Sequence, residues 1–62
     1  MIWIKYIGGW LNGSEVSWQT PPKEGDVVKV RAPSASRYDV YRIENIAGGR
    51  LVAVWQSYED VA

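Results

Sequence analysis

The sequence predicts an all-β fold, either a small five-stranded antiparallel barrel or a strongly curled sheet. β-branched and aromatic residues collect in short runs, turn-forming residues separate these runs, and no stretch shows the 3.6-residue apolar period of an amphipathic helix. The 62 residues are expected to form a single small domain. Four Trp and four Tyr help to fill its core, because each aromatic ring can bury about 150–250 Å².

The first strand and a hairpin are predicted at the N-terminus. Residues 2–7 are β-branched or aromatic at every position except Lys5, which favours a strand buried on both faces. Gly8-Gly9 ends this strand as a bulge or bend. Asn12-Gly13 is typical of a type I′ hairpin turn, so residues 14–18 are expected to return as the second strand.

The middle of the chain predicts one clearly two-sided strand. Residues 20–26 contain two prolines and a Gly-Asp pair and are expected to be a connection. The next segment, residues 27–32, alternates regularly between apolar and basic side chains. We therefore expect one face of this strand in the core and the other in solvent. The predicted core positions are Val28, Val30 and Ala32, and the solvent positions are Lys29 and Arg31.

Two further strands are predicted, after a polar loop at residues 33–37. Residues 38–46 form a long strand with irregular apolar spacing. Either a bulge lies near Tyr41-Arg42, or Tyr41 and Ile43 face inward while Val40 lies on a second surface. Residues 51–57 form the last strand. The end of the chain, residues 57–62, is expected to be a loose tail or a single helical turn.

The segment Glu24 to Val30, followed by Tyr38, Val40 and Ile43, resembles the sequence pattern of SH3-like barrels of the KOW and Tudor type. The resemblance covers about a third of the chain. It implies an SH3-like fold and carries no function.

Composition excludes several classes of function. The chain has no Cys and no His, so zinc sites and Cys or His nucleophiles are excluded. We expect no enzyme activity, no metal and no cofactor, because a domain this small rarely builds a recessed pocket. No apolar run approaches the about 20 residues of a membrane helix, and the N-terminus lacks a secretory leader. The protein is therefore expected to be neither secreted nor membrane-bound.

A nucleic-acid face is one candidate site. Seven basic and seven acidic residues give a net charge of zero, whereas dedicated nucleic-acid binders are usually strongly basic. Residues 29–50 nevertheless carry a local excess of positive charge next to Tyr38 and Tyr41, which could stack on bases. The alternative is an ordinary solvated β surface with acidic neighbours. The basic residues are Lys29, Arg31, Arg37, Arg42 and Arg50.

A protein-binding surface is the favoured candidate. Four Trp are too many for one small barrel to hide, and Trp10 is expected to be exposed because it lies between two glycine-containing turns. Exposed aromatics beside Arg are typical of interface anchors. The alternative is an aromatic that folds back over the open end of the barrel. An exposed edge strand could also bind a partner strand. The predicted contact residues are Trp10, Tyr38, Tyr41, Arg37 and Arg42.

The run from Lys5 to Gly13 resembles the opening of a group of very small bacteriophage proteins, in which an aromatic and two glycines precede an Asp-Gly or Asn-Gly pair. A Tyr-containing strand nearer the C-terminus, here residues 38–42, completes the resemblance. The chain departs at Trp10, where the group more often has Pro, and at Asn12, where the group usually has Asp. The resemblance implies a phage origin and supplies no functional residue.

These expectations define three hypotheses about function. The first is a virion accessory or capsid decoration protein, the second an inhibitor of a host or anti-phage defence protein, and the third a nucleic-acid-binding barrel. The expected location is the virion or the host cytoplasm. Assembly into a homo-oligomer is compatible with each of the three.

Overall fold

The computed structural model describes residues 1–33 and 36–60. These residues form five strands and no helix, which confirms the predicted all-β class. Ser34 and Ala35 of the predicted polar loop, and the last two residues, lie outside the described part of the chain. The strands are β1 (Ile2–Ile7), β2 (Glu15–Trp18), β3 (Val27–Arg31), β4 (Arg37–Ile46) and β5 (Arg50–Asp60).

The five strands form one mixed sheet that is curled into a half-barrel. Its order is β2-β1-β5-β4-β3. β1 runs parallel to β5, whereas the other three neighbouring pairs are antiparallel. The prediction of a purely antiparallel sheet is therefore wrong at the β1/β5 pair. The connection between β2 and β3, residues 19–26, carries the chain from one edge of the sheet to the other, and β5 then pairs with the remaining side of β1.

The core lies on one face of the sheet, which we call the inner face. Its fully buried apolar cluster consists of Ile4, Tyr6, Tyr41, Ile43 and Ala53. The rings of Tyr6 and Tyr41 meet edge to face, with centroids 4.9 Å apart and an interplanar angle of 77°, the arrangement that aromatic quadrupoles favour. The opposite face is called the outer face.

β1 is buried on its inner face only. Ile4 and Tyr6 are buried, whereas Trp3 is 62% and Ile7 is 44% exposed on the outer face. The prediction that both faces are buried is therefore wrong. A single curled sheet covers its concave side, and none of the described residues forms a second layer over the outer side of β1.

β3 alternates as predicted. Val28 and Val30 are half-buried and Ala32 is buried, whereas Lys29 and Arg31 are exposed. The amphipathic pattern therefore identified the strand, its inner face and its boundary to within one residue.

A bulge interrupts the pairing of β4 with β5. Val40 lies opposite Ser57 and Tyr41 opposite Trp55, so Gln56 is the extra residue. The bulge lies next to the predicted position, but the additional residue belongs to β5 and not to β4. Tyr41 is also buried on the inner face, and Val40 lies on the outer face, as the second alternative required.

β5 is longer than the sequence predicted. It continues to Asp60, and residues 57–60 are strand, not a loose tail or helical turn. Pairing with β4 holds this extension, with Tyr58 opposite Asp39 and Asp60 opposite Arg37. β1 ends opposite Val54, so the last part of β5 lies beyond the end of β1.

Candidate functional site

The structure separates the five predicted partner-binding residues. Trp10 is 49% exposed, as predicted, and Arg37 is partly exposed on the inner side of β4. The strand alternation places Tyr38 and Arg42 on the outer face. Tyr41 is completely buried, so its assignment as an exposed anchor is corrected. Its ring packs against Tyr6 in the core, and the hydroxyl binds backbone groups of the loop that contains Trp10.

The connection between β1 and β2, which we call the clamped loop, spans residues 8–14. Gly8, Gly9 and Gly13 have φ angles of 85°, 63° and 86°, and no described non-glycine residue has a positive φ. Asn12 therefore cannot form the predicted type I′ turn, which needs positive φ at both central positions. Consecutive turns form instead, with N–H groups of Asn12 and Ser14 donating to the carbonyls of Gly9 and Leu11. The loop is longer than a two-residue hairpin.

Tyr41 holds the clamped loop through its hydroxyl. The Leu11 N–H donates to Tyr41 Oη at 3.0 Å, and the hydroxyl donates in turn to the Gly8 carbonyl at 2.7 Å. Burial raises the pKa of Tyr41, the Leu11 N–H opposes this rise, and Asp39 adds to it. The hydroxyl therefore stays protonated around neutral pH and can donate to Gly8.

Asp39 holds the next residue of the loop. The Trp10 N–H donates to Asp39 Oδ2 at 2.7 Å, and the carboxylate is completely buried. The other oxygen, Oδ1, lies 3.4 Å from Arg37 Nε without hydrogen-bond geometry. A buried carboxylate that accepts a backbone N–H and faces a guanidinium is a fixed anchor. Asp39 therefore fixes the position of the Trp10 backbone within the loop.

Trp55 lies against the glycine pair of the clamped loop. A Cβ atom built on Gly9 would be 2.3 Å from Trp55 Cδ1 and 2.6 Å from Tyr41 Oη, and one on Gly8 would be 2.9 Å from Trp55 Cβ. No side chain fits in this space, because Cβ atoms do not approach other atoms so closely. The two glycines thus allow the loop to pack directly on Trp55.

We call the exposed side chains around these contacts the aromatic rim and define it by Trp10, Trp55, Tyr58 and Arg37. The three aromatic side chains are 49%, 36% and 56% exposed. The Arg37 guanidinium lies 5.4 Å from the centroid of the Tyr58 ring, within cation–π range. Sequence reasoning found Trp10 and Arg37 but missed Tyr58, because residues 57–62 were interpreted as a tail. Residues 58–60 alone carry no signal that would place Tyr58 beside Arg37, because that contact depends on the pairing of β5 with β4.

The five basic residues of the predicted nucleic-acid face do not all lie on one face of the sheet. Arg37 lies on the inner face, whereas Lys29, Arg31 and Arg42 lie on the outer face. Most of these cations have an acidic neighbour within the described residues. The ion pairs are Lys29 with Glu59 (2.7 Å), Arg37 with Asp39 (3.4 Å), Arg42 with Glu44 (3.9 Å) and Arg50 with Glu15 (3.8 Å).

An open depression of about 490 Å³ lies beside the start of β5. Its polar side chains are Lys5, Asn12 and Arg50, and Asn12 Oδ1 already accepts the Gly8 N–H at 2.8 Å. Across residues 1–33 and 36–60 no three acidic side chains lie close enough together to hold a metal ion. No helix in the same ranges is long and apolar enough to span a membrane.

Comparison with known proteins gave no match to a family model, to a curated protein or to a solved structure.

Proposed function

We propose that the protein is a non-enzymatic binding module that attaches to a protein partner through the aromatic rim. One observation carries the proposal: Trp10 is half exposed although its own backbone N–H is fixed by the buried Asp39. A large apolar side chain is thus presented to solvent from a backbone that cannot easily move. Hydrophobic burial alone would favour the opposite arrangement.

The composition of the rim supports this role. Trp, Tyr and Arg are the residue types that most often dominate the free energy of protein interfaces. The clamped loop adds preorganisation, because Tyr41 and Asp39 already fix the backbone on both sides of the Trp10 α-carbon. A preordered anchor loses less conformational entropy on binding than a mobile loop would.

The resemblance to small bacteriophage proteins favours a virion component as the partner, with the protein acting as a capsid decoration or accessory protein. A small domain with a modest core is stabilised further when it binds its partner. Inhibition of a host or anti-phage defence protein is the second candidate, and the same rim would serve it. The two differ in stoichiometry: a decoration protein binds a repeated surface in many copies, whereas an inhibitor saturates one target.

Nucleic-acid binding remains the third candidate, and the ion pairs argue against it. Lys29, Arg37, Arg42 and Arg50 each have an acidic neighbour within 4.0 Å. A phosphate would have to compete with these carboxylates. Arg37 also lies on the opposite face of the sheet from Lys29, Arg31 and Arg42.

The test compares two exposed tryptophans. Trp10→Ala removes the rim anchor, and Trp3→Ala is the matched control, because Trp3 is 62% exposed on the outer face of β1. Tagged wild type and both variants are used to capture partners from lysate of phage-infected host cells, with and without nuclease. Affinity for the captured partner is then measured with purified components.

We expect Trp10→Ala to weaken partner binding by about 30-fold or more, which corresponds to about 2 kcal/mol. Trp3→Ala should leave binding unchanged, and nuclease should have no effect. A capsid or tail protein as the partner supports decoration, and a single host enzyme supports inhibition. Loss of capture with nuclease, or a loss with Trp3→Ala that Trp10→Ala does not share, would overturn the proposed site.

A further inference from the structure

Both edges of the half-barrel are open. β2 and β3 are the terminal strands of the sheet, and each pairs with a neighbour on one side only. Unpaired backbone groups at a sheet edge bind other strands readily unless the edge is protected. β2 and β3 also carry half-exposed apolar side chains on their inner faces, including Val16 at 38% exposure.

On both edge strands, alternate backbone N–H groups point away from the sheet and are free to bind another strand. On β2, the Tyr6 N–H donates to the Ser14 carbonyl at 2.8 Å. Because bonding alternates along an antiparallel strand, the N–H groups of Glu15 and Ser17 point away from the sheet. On β3, the Ala32 N–H donates to the Arg37 carbonyl at 3.3 Å. The same alternation turns the N–H groups of Lys29 and Arg31 away from the sheet.

On both edges, therefore, the residues that can form new backbone bonds have their side chains on the outer face. Paired residues in an antiparallel ladder lie on the same face. β2 and β3 also run in opposite directions within the sheet. A two-fold axis parallel to the strands would thus place β2 of one copy antiparallel to β3 of another with the inner faces aligned.

Charge distinguishes this pairing from the alternatives. Glu15 is the one charged residue of β2, and Lys29 and Arg31 are the two of β3. Lys29 is bound to Glu59, whereas Arg31 has no acidic partner among the described residues. Pairing β3 with another β3 would bring like charges close together across the strands, which is destabilising. Pairing β2 with β3 brings opposite charges together.

We propose that two copies of the chain form a two-fold dimer in which β2 of each copy pairs antiparallel with β3 of the other. Glu15 then lies opposite Arg31, and Ser17 opposite Lys29. In the same register, the inner-face side chains of β2 and β3 pack against one another. The two half-barrels then form one closed barrel. None of the rim residues lies on β2 or β3, so this inference is argued from observations other than those that carry the proposed function.

The test uses charge reversal and mixing. Sedimentation equilibrium of the wild type should give twice the 7.0 kDa chain mass. Glu15→Lys and Arg31→Glu each place like charges across both contacts, and each should raise the dimer dissociation constant by about tenfold or more. Mixing the two variants in equal amounts should restore the dimer, because both contacts of the heterodimer regain opposite charges. Circular dichroism follows folding in the same samples.

A control addresses the contact of Glu15 with Arg50 within the chain, which is 3.8 Å long. Arg50→Glu breaks this ion pair and should leave the dimer intact. A second measurement needs no variant: the Ser17 and Lys29 amide hydrogens should exchange slowly in the wild-type dimer. A monomeric wild type, rapid exchange at these two amides, or a mixture no more dimeric than its components would each overturn the proposal.

Discussion

The chain contains two Gly-Gly pairs, and their surroundings differ. Gly8 and Gly9 have φ angles of 85° and 63°, and Gly48 and Gly49 have φ angles of 84° and 76°. All four backbones therefore require glycine for conformational reasons. Only the first pair is also enclosed: a Cβ on Gly9 would lie 2.3 Å from Trp55, whereas nothing lies within 4 Å of the equivalent position on Gly48 or Gly49.

The two turns also differ in what holds them. The β4–β5 turn is local, and the Gly49 N–H donates to the Ile46 carbonyl at 3.2 Å. The clamped loop is held by Asp39 and Tyr41, which lie 29 and 30 residues away from the amides they bind. One turn can thus form by itself, whereas the other depends on the β4 strand and the core beneath it. The following predictions test this difference.

The largest effect is expected from alanine substitution in the two glycine pairs. Gly9→Ala combines backbone strain with overlap against Trp55 and Tyr41 and should destabilise the protein by roughly 3 kcal/mol or more. Gly49→Ala meets strain alone and should lose about 1 kcal/mol. Urea unfolding followed by Trp fluorescence measures both values. Equal losses for the two variants would show that the clamped loop is not enclosed.

Removal of the Tyr41 hydroxyl should have the next largest effect. Tyr41→Phe keeps the ring in the core but leaves the Leu11 N–H and the Gly8 carbonyl without their partner, so we expect a loss of about 1–3 kcal/mol. Tyr58→Phe is the matched control, because Tyr58 is 56% exposed. It should change the free energy of unfolding by less than about 0.5 kcal/mol.

Alkaline pH should weaken the clamped loop and its core. The pKa of Tyr41 and that of Tyr6 are both raised from 10.0, mainly by burial. The folded state then retains protons that the unfolded state releases, so stability is complete below pH 10 and falls as pH rises above that value. Urea midpoints at about pH 8 and about pH 10.5 test this sign. The fall should be smaller in Tyr41→Phe, and an unchanged fall would contradict this role of Tyr41.

The smallest effect is expected at Asn12. Its Oδ1 accepts the Gly8 N–H at 2.8 Å in an exposed position, so Asn12→Ala should lose about 0.5–1 kcal/mol. Asn12→Asp keeps an oxygen acceptor and should be close to wild type. If Asn12→Asp proves as destabilising as Asn12→Ala, the side-chain contact to Gly8 does not stabilise the loop.

The sequence predicted local structure better than it predicted strand pairing and tertiary contacts. Apolar alternation located β3 and its inner face, and Gly8-Gly9 marked the end of β1. Pairing could not be predicted in this way, because nothing in residues 2–7 indicates that β5 will lie parallel to β1. The role of Tyr41 was missed for the same reason. Its neighbours in the sequence do not distinguish an exposed interface residue from a buried residue that binds the loop, because the contacts to Gly8 and Leu11 depend on the fold.

The rim was predicted in part. Trp10 and Arg37 could be selected because their types and turn positions are local features. Tyr58 belongs to the site only because β5 continues beyond the bulge and pairs with β4. That extension depends on a partner strand whose register is not encoded in residues 58–60 alone.

Amide hydrogen exchange tests the clamped loop most directly. If Asp39 and Tyr41 hold the loop, the amides of Trp10 and Leu11 should exchange about 100-fold or more slowly than in an unstructured chain. In Tyr41→Phe the Leu11 amide should lose this protection, whereas the Gly49 amide should keep its wild-type rate. Unprotected Trp10 and Leu11 amides in the wild-type protein would contradict the account, because the rim would then be carried by an unanchored loop.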